Sequence, residues 1–293
     1  MPVIPAADAE QKASAVGGRL VDLMERRQCG AGQKCPWDLV VALGLTPLDQ
    51  AAAAWVLADE IMSFRAGLDQ ATYDLWRDAT LAAQQLTGVD RTVVYHYARP
   101  VFGTANPAHH GVAGYVGEWM WYLLTRDLPA EPGRTVEFID PPGPTVNDSG
   151  GDGMILHRIA GATPEFAFRL WEMKKYTAAA NDVQPTIRGA WQQINTEGAT
   201  YLGQVPWADK HLAPDAKAFV GGLVRMWVAA DPRTNGGVSV ALNATATPTE
   251  AFHLSHNHFT THTHAGALQG LVVAVDDFEG FAQQVREYVW SAL

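Results

Sequence analysis

The sequence predicts an α/β fold with an all-helical N-terminal region, and three observations carry that expectation. Up to residue 110 the apolar positions recur mostly at helical spacing. From residue 111 one strongly apolar helix leads into three short β-branched or alternating runs separated by turn residues. Behind those runs come a helix, a further strand and more mixed structure, and three consecutive strands behind one helix suggest a central mixed sheet. The chain thus divides into a helical region, residues 1–110, and an α/β region, residues 111–293.

The elements follow in order. A short helix is expected around residues 12–26, then a loop. Residues 45–64, LTPLDQAAAAWVLADEIMSF, read as a helix with Thr46 as N-cap and Pro47 in the first turn. Residues 68–86 read as a second amphipathic helix, and VVYHYA (93–98) is an apolar run of either type. GVAGYVGEWMWYLLTRDL (111–128) is an apolar helix holding one acid, Glu118. TVEFID (135–140), GMILHRI (153–159) and FAFRLWEMKK (166–175) are strands, with PPGPTVNDSGGDG (141–153) a loop by composition. Residues 186–202 and 214–231 read as helices and GGVSVALNA (236–244) as a strand. GLVVAVDD and FEGFAQQVREYVWSAL close the chain as a strand and a helix. Trp119, Trp121 and Trp191 sit on apolar helix faces and read as core.

The bulk numbers exclude several function classes. The chain has 293 residues, 47% hydrophobic and 18% charged, enough for one large domain or two modest ones. No apolar run is long enough to span a membrane. The first residues lack a basic flank followed by an apolar core, so a soluble cytoplasmic protein is expected. Cys29 and Cys35, in CGAGQKC, are too few for a disulfide scaffold and read as reduced thiols in a loop. The net charge of −10 argues against a general nucleic-acid coat, since phosphate binding is driven by Lys and Arg. A local basic cleft is still compatible with it, and so is a more basic partner that holds the substrate.

Two stretches stand out as chemistry. NDSGGDGMILHR places Asp152 at the mouth of the second strand, and LWEMKK places Glu172 and Lys174 near the end of the third. Side chains two apart on a strand share a face, so Glu172 and Lys174 point the same way. If these strands form a hairpin, Asp152 lies beside Glu172. Two adjacent carboxylates repel, and a hard cation such as Mg²⁺ resolves the repulsion because it takes oxygen ligands and keeps several waters. Lys174 could then steady an attacking hydroxide or a phosphate oxygen. An E-x-K triplet on a strand is commonly only a solvent-exposed ion pair. Here it follows an aromatic and aliphatic strand, and a Gly-Asp-Gly turn opens the strand before it.

In this order the residues resemble the PD-(D/E)xK nuclease superfamily: Glu118 in a helix, a strand, Asp152 in GDG, Glu172-Met173-Lys174, and a following helix. The resemblance spans residues 111 to about 245, under half the chain, and rests on ordered context more than on the short motif. It implies a restriction-endonuclease-like core of helix, three strands, helix and strand, and Mg²⁺-dependent hydrolysis of DNA, with Mn²⁺ able to substitute. It further implies that Asp152 and Glu172 bind the metal with the Met173 carbonyl, that Glu118 is an additional ligand and that Lys174 is catalytic. Gly151 stands where many members have proline. The Gln and Tyr that some members carry four apart on the next helix have no match, because Tyr201 is too far from Gln192 and Gln193. Lys175, Arg188 and Gln193 are the candidate contacts to DNA. The helical N-terminal extension is similar to that of bacterial antiphage-defence nucleases such as the Hachiman nuclease subunit. That similarity implies a helicase or ATPase partner, a homo-oligomer being the other expectation.

Two other readings stand beside this one. A catalytically decayed nuclease fold could serve as an adaptor for an ATPase partner, which the acidic charge fits and the intact Asp/Glu/Lys set opposes. HLSHNHFTTHTH (253–264) holds five of the ten histidines and could ligate zinc in a hydrolase. That run has no acid to serve as general base and lacks the spacing of a helical zinc motif. It therefore reads as a polar strand or loop.

Overall fold

The computed structural model describes residues 2–42, 46–103, 111–129, 131–143, 152–161, 165–178, 182–205 and 212–293. A seven-stranded mixed sheet runs through it, with helices on both faces. The strands are β1 (Glu25–Cys29), β2 (Trp37–Val41), β3 (Arg134–Ile139), β4 (Gly153–Ile159), β5 (Glu165–Tyr176), β6 (Thr234–Asn243) and β7 (Leu268–Val275). Their order is β1-β2-β7-β6-β5-β4-β3. β2, β7, β6 and β5 are mutually parallel, while β1 runs against β2 and β3-β4-β5 form an antiparallel meander.

The helices are α1 (Ala6–Val16), α2 (Pro47–Ala66), α3 (Gln70–Leu81), α4 (Gly88–Phe102), α5 (Val112–Asp127), α6 (Gln184–Gln204), α7 (Pro214–Val220), α8 (Leu223–Val228), α9 (Ser255–His258) and α10 (Phe278–Trp290). The parity of the sheet residues sorts these helices into two layers. Ile155, Trp171, Met173, Ala241 and Val273 point into a core shared with α1 to α5 and α10. Met154, Leu170, Val238, Val240 and Val272 point into a second core with α6, α7 and α8. The central strands are apolar on both faces because both faces are covered.

The α/β class expected from the sequence is present, but residues 1–110 are not all helical. Strands β1 and β2 lie within them, and β2 pairs in parallel with β7. The helix expected at 12–26 is instead α1, a 3-10 turn (Leu20–Leu23) and β1. β1 is ERRQC, a polar edge strand with one partner, so it carries no apolar alternation to read. Side chains bind this segment to the end of the chain. Trp76 donates from Nε1 to the Val289 carbonyl at 3.0 Å, Tyr288 donates to the Ile4 carbonyl at 3.0 Å, and Trp55 stacks on Trp76.

Local signals explain most other boundaries. α2 starts where read, with a reciprocal capping box between Thr46 and Asp49 and proline in the first turn. α3 ends at Leu81, short of residue 86, with Ala83 at φ 52° just beyond it. The run 93–98 is helical, inside α4. The helix expected over 214–231 breaks into α7 and α8 at Gly221-Gly222. The loop expected over 141–153 falls mostly outside the described residues.

Close packing decides two glycines in the strands. A Cβ on Gly153 would collide with the Trp121 ring of α5, and one on Gly237 with the Trp171 ring. These contacts hold α5 against the mouth of β4, next to Asp152. Gly153→Ala is expected to lower stability by about 1–3 kcal/mol, the usual cost of overpacking a core. Urea unfolding of the variant checks this, the sign being a lower midpoint at unchanged slope.

Candidate active site

The hairpin of β4 and β5 brings the two sequence-predicted carboxylates together. Gly153 stands opposite Trp171, so one more antiparallel step sets Asp152 across from Glu172. Asp152 Oδ2 accepts from the Met173 backbone N–H at 2.6 Å. Asp152 therefore caps the end of β4 against the middle of β5. Side-chain parity puts Asp152, Glu172 and Lys174 on the face packed by α6. Within a strand the N–H and C=O of one residue point to the same side. The Met173 carbonyl therefore faces the gap beyond the start of β4, beside Asp152.

Glu172 is 1% exposed. Its Oε1 accepts from Lys174 Nζ, but Oε2 is buried without a hydrogen-bond partner. An unsatisfied buried carboxylate oxygen is costly. Burial, then the neighbouring Asp152 charge, push the Glu172 carboxyl up to about 8. Burial also raises Asp152, against the Met173 N–H and the Lys174 charge. Burial opposes the Lys174 charge, but the Glu172 and Asp152 carboxylates outweigh it and raise the ammonium's pKa. With one ammonium for two buried carboxyls, the pair retains a proton at neutral pH. A bound divalent cation would release that proton.

Helix α6 contributes a pair that sequence spacing did not suggest. Gln193 Nε2 donates to the Tyr201 hydroxyl at 2.7 Å. The two stand eight residues apart, about two turns, so they share a helix face. Burial raises the Tyr201 phenol against the Gln193 hydrogen bond, and the charges of Glu172 and Asp152 raise it further. The search for a four-residue spacing passed over this pair. The eight-residue repeat on one helix face was the available signal.

The other candidates lie elsewhere. Glu118 is half-buried on α5, one turn before Trp121, on the helix layer that covers the opposite face of the sheet. Lys175 alternates to that same opposite face, in register with Ala241, against which Gly117 packs. Arg188 is exposed on α6, about 140° around the helix from Gln193, and its charge is felt by His258. Among the described residues no group of three or more His, Cys, Asp or Glu side chains is placed to hold a metal ion. The donor set at hand is two carboxylates and a carbonyl, all oxygen. It fits a hard cation that keeps several waters, and the buried Glu172 Oε2 is an oxygen in need of a positive partner.

The histidine run forms the single turn α9 and a loop, rather than a strand. His262 is buried, stacked on Phe259 at 5.1 Å and close to Trp227 at 4.5 Å, and both its ring nitrogens lack partners. Burial and the His264 charge push its imidazole down to about 4. His264 meets Asn235 Oδ1 at 3.2 Å, and His253 meets the Glu250 carbonyl at 2.8 Å. Here the histidines fill aromatic core and tie down a loop.

No match sets a name on this site. No family model, no curated protein and no solved structure matches the chain. Among the described residues no helix is long and apolar enough to cross a membrane.

The raised Glu172 carboxyl fixes a pH dependence. Between its ordinary value of 4.5 and about 8 the folded chain holds a proton that the unfolded chain releases. Stability from this group is therefore lost as pH rises through that window. In EDTA the melting temperature should fall from pH 5 to pH 9, and Glu172→Gln should flatten the fall and raise the value at pH 9. A wild-type curve parallel to that of Glu172→Gln would show that Glu172 ionises normally. Added Mg²⁺ should raise the wild-type melting temperature more at pH 8 than at pH 6.

Proposed function

We propose that this chain is a Mg²⁺-dependent phosphodiesterase acting on DNA, with a nuclease centre of PD-(D/E)xK type. The observation that carries the reading is the pairing of Asp152 and Glu172 across β4 and β5, with Lys174 on the same face and Glu172 Oε2 buried without a donor. Structural carboxylates are satisfied when buried; this pair is left short by one positive charge. The run α5-β3-β4-β5-α6-β6, with β3-β4-β5 antiparallel and β5-β6 parallel, supports it as the helix, three strands, helix, strand order of that superfamily's core.

Asp152, Glu172 and the Met173 carbonyl would hold the cation. When bound, it acidifies a water and offsets charge on the phosphate in the transition state. The Met173 N–H fixes the Asp152 carboxylate so that one oxygen faces the pair. Lys174 neutralises Glu172 from the solvent side and stands where it can stabilise a phosphate oxygen or orient the attacking water. Gln193 donates to Tyr201, which leaves the phenol proton for a phosphate oxygen. The chain's charge of −10 leaves backbone binding to a few local cations. A more basic partner, an ATPase or helicase, would supply the rest.

The test is cleavage of single- and double-stranded DNA with Mg²⁺, Mn²⁺ or EDTA. Either cation should support cutting and EDTA should abolish it. Asp152→Asn, Glu172→Gln and Lys174→Ala should each lower the rate by about a hundredfold or more, the scale of losing one transition-state charge contact. Wild-type rates in any of these folded variants would end the proposal. Changing His262 and His264 to Ala should leave Mg²⁺-dependent cleavage standing.

A further inference from the structure

One cavity among the described residues belongs to none of this chemistry. It holds about 790 Å³, within the range of small-molecule sites. It lies on the α5 face of the sheet, beyond the end of α5 and over the first residues of β2 and β7. Trp171, Ile155, Leu271 and Leu128 supply apolar wall, and the β1–β2 hairpin with the loop before β3 forms the rim. Trp171 faces this cavity while its neighbour Glu172 faces the other side of the sheet, so strand β5 separates the two.

The polar part of the wall is unsatisfied. Behind it, Trp171 Nε1 and His157 Nδ1 are buried without partners and closed to solvent. Arg134 Nη1 lies 3.1 Å from Glu131 Oε2, in ion-pair range, yet makes no hydrogen bond. Two of these three atoms are obligate donors, and burial with the Arg169 charge holds His157 down at about 4, hence neutral.

The charges around the cavity do not cancel either. Arg26 and Asp38 neutralise each other through two bonds of 2.9 and 3.0 Å. Glu131 faces two guanidiniums, Arg169 at 2.7 Å and Arg134 at 3.1 Å. Despite its burial, their charges hold its carboxyl below the ordinary range. One carboxylate against two guanidiniums leaves one positive charge over.

We infer that this cavity is a binding site for a small organic anion, a carboxylate or a phosphate ester, with a flat apolar body. The acid group lies against Arg134. The body lies along Trp171 and the aliphatic wall. The site is independent of the nuclease reading, since none of Asp152, Glu172 and Lys174 lines it.

Calorimetric titration of the full chain in EDTA tests it, with indole-3-acetate and adenosine 5′-monophosphate as the two acids and indole and adenosine as uncharged controls. At least one acid should bind with one-to-one stoichiometry, about tenfold or more tighter than its control, or about 1.4 kcal/mol. Binding of the indole acid alone would identify a carboxylate, and of the nucleotide alone a phosphate ester. Arg134→Gln should weaken binding by about tenfold, and Arg134→Lys should retain most of it. Val136→Trp, a change at an exposed rim position, should block it without unfolding the chain. Glu172→Gln should bind as wild type. No binding of either acid to the folded protein, or equal binding by Arg134→Gln, overturns the inference.

Discussion

A carboxylate buried across from another carboxylate is the constraint on which the site depends. Glu172 is on a central strand, closed over by α6, and Asp152 reaches it from the end of β4. Lys174 answers one oxygen, and the other has only the opposing Asp152 carboxyl, with which it can share a proton. Burying an ion pair stabilises a fold only when the geometry satisfies every lone pair. The hairpin register and the Met173 N–H hold the pair together against its own repulsion. A fold that only needed stability would fare better with an apolar side chain at 172, as at Leu170 and Val238 beside it. On the proposed reading, a bound cation would offset that penalty and so stabilise the fold that now carries it.

The packing behind the pair follows from that requirement. Gly153 has no side chain because the Trp121 ring of α5 occupies the place of its Cβ. The close approach brings the mouth of β4 under a rigid aromatic lid, and Asp152 is the next residue out. On the other face Trp191, Trp227 and Phe259 interlock with His262. The carboxylate pair therefore sits in a sheet packed by aromatic rings on both faces.

How much of this was legible in the sequence depended on which physical signal each element emits. Strands β4 and β5 and helix α5 are apolar, and β3 is a short β-branched and aromatic run, each bounded by turn residues, so their order could be read. Strand parity then placed Glu172 and Lys174 on one face. β1 could not be read, because an edge strand of ERRQC pairs through its backbone and shows no apolar face. Its presence, with β2, makes the expected all-helical N-terminal region part of the sheet. Glu118 and Lys175 illustrate a different limit. Lys175 is next to the centre in sequence and Glu118 precedes it by one helix and one strand, but the sheet has two faces, and helix α5 packs on the one that Glu172 does not share. The Gln193–Tyr201 pair escaped because it spans two helical turns rather than one. The histidine run attracted attention by composition alone, which says nothing about whether imidazoles converge or stack.

Two buried charges on β5, three residues apart, are held in different ways. Arg169 is 1% exposed, as is Glu172. Its Nη1 donates to the Gly236 carbonyl at 2.9 Å and to Ala267 at 3.5 Å. Its Nη2 donates to Glu131 at 2.7 Å and to Gly266 at 3.2 Å. Those bonds join β5 to β6 and to the loop before β7, and they leave only the buried Nε without a partner. Glu172 has one donor for two oxygens and a like charge opposite. Burial alone would rank the two residues equally, so burial is not what marks a site. What differs is the neighbour: Arg169 faces the opposite charge of Glu131, whereas Glu172 faces a second carboxylate and shares one ammonium with it.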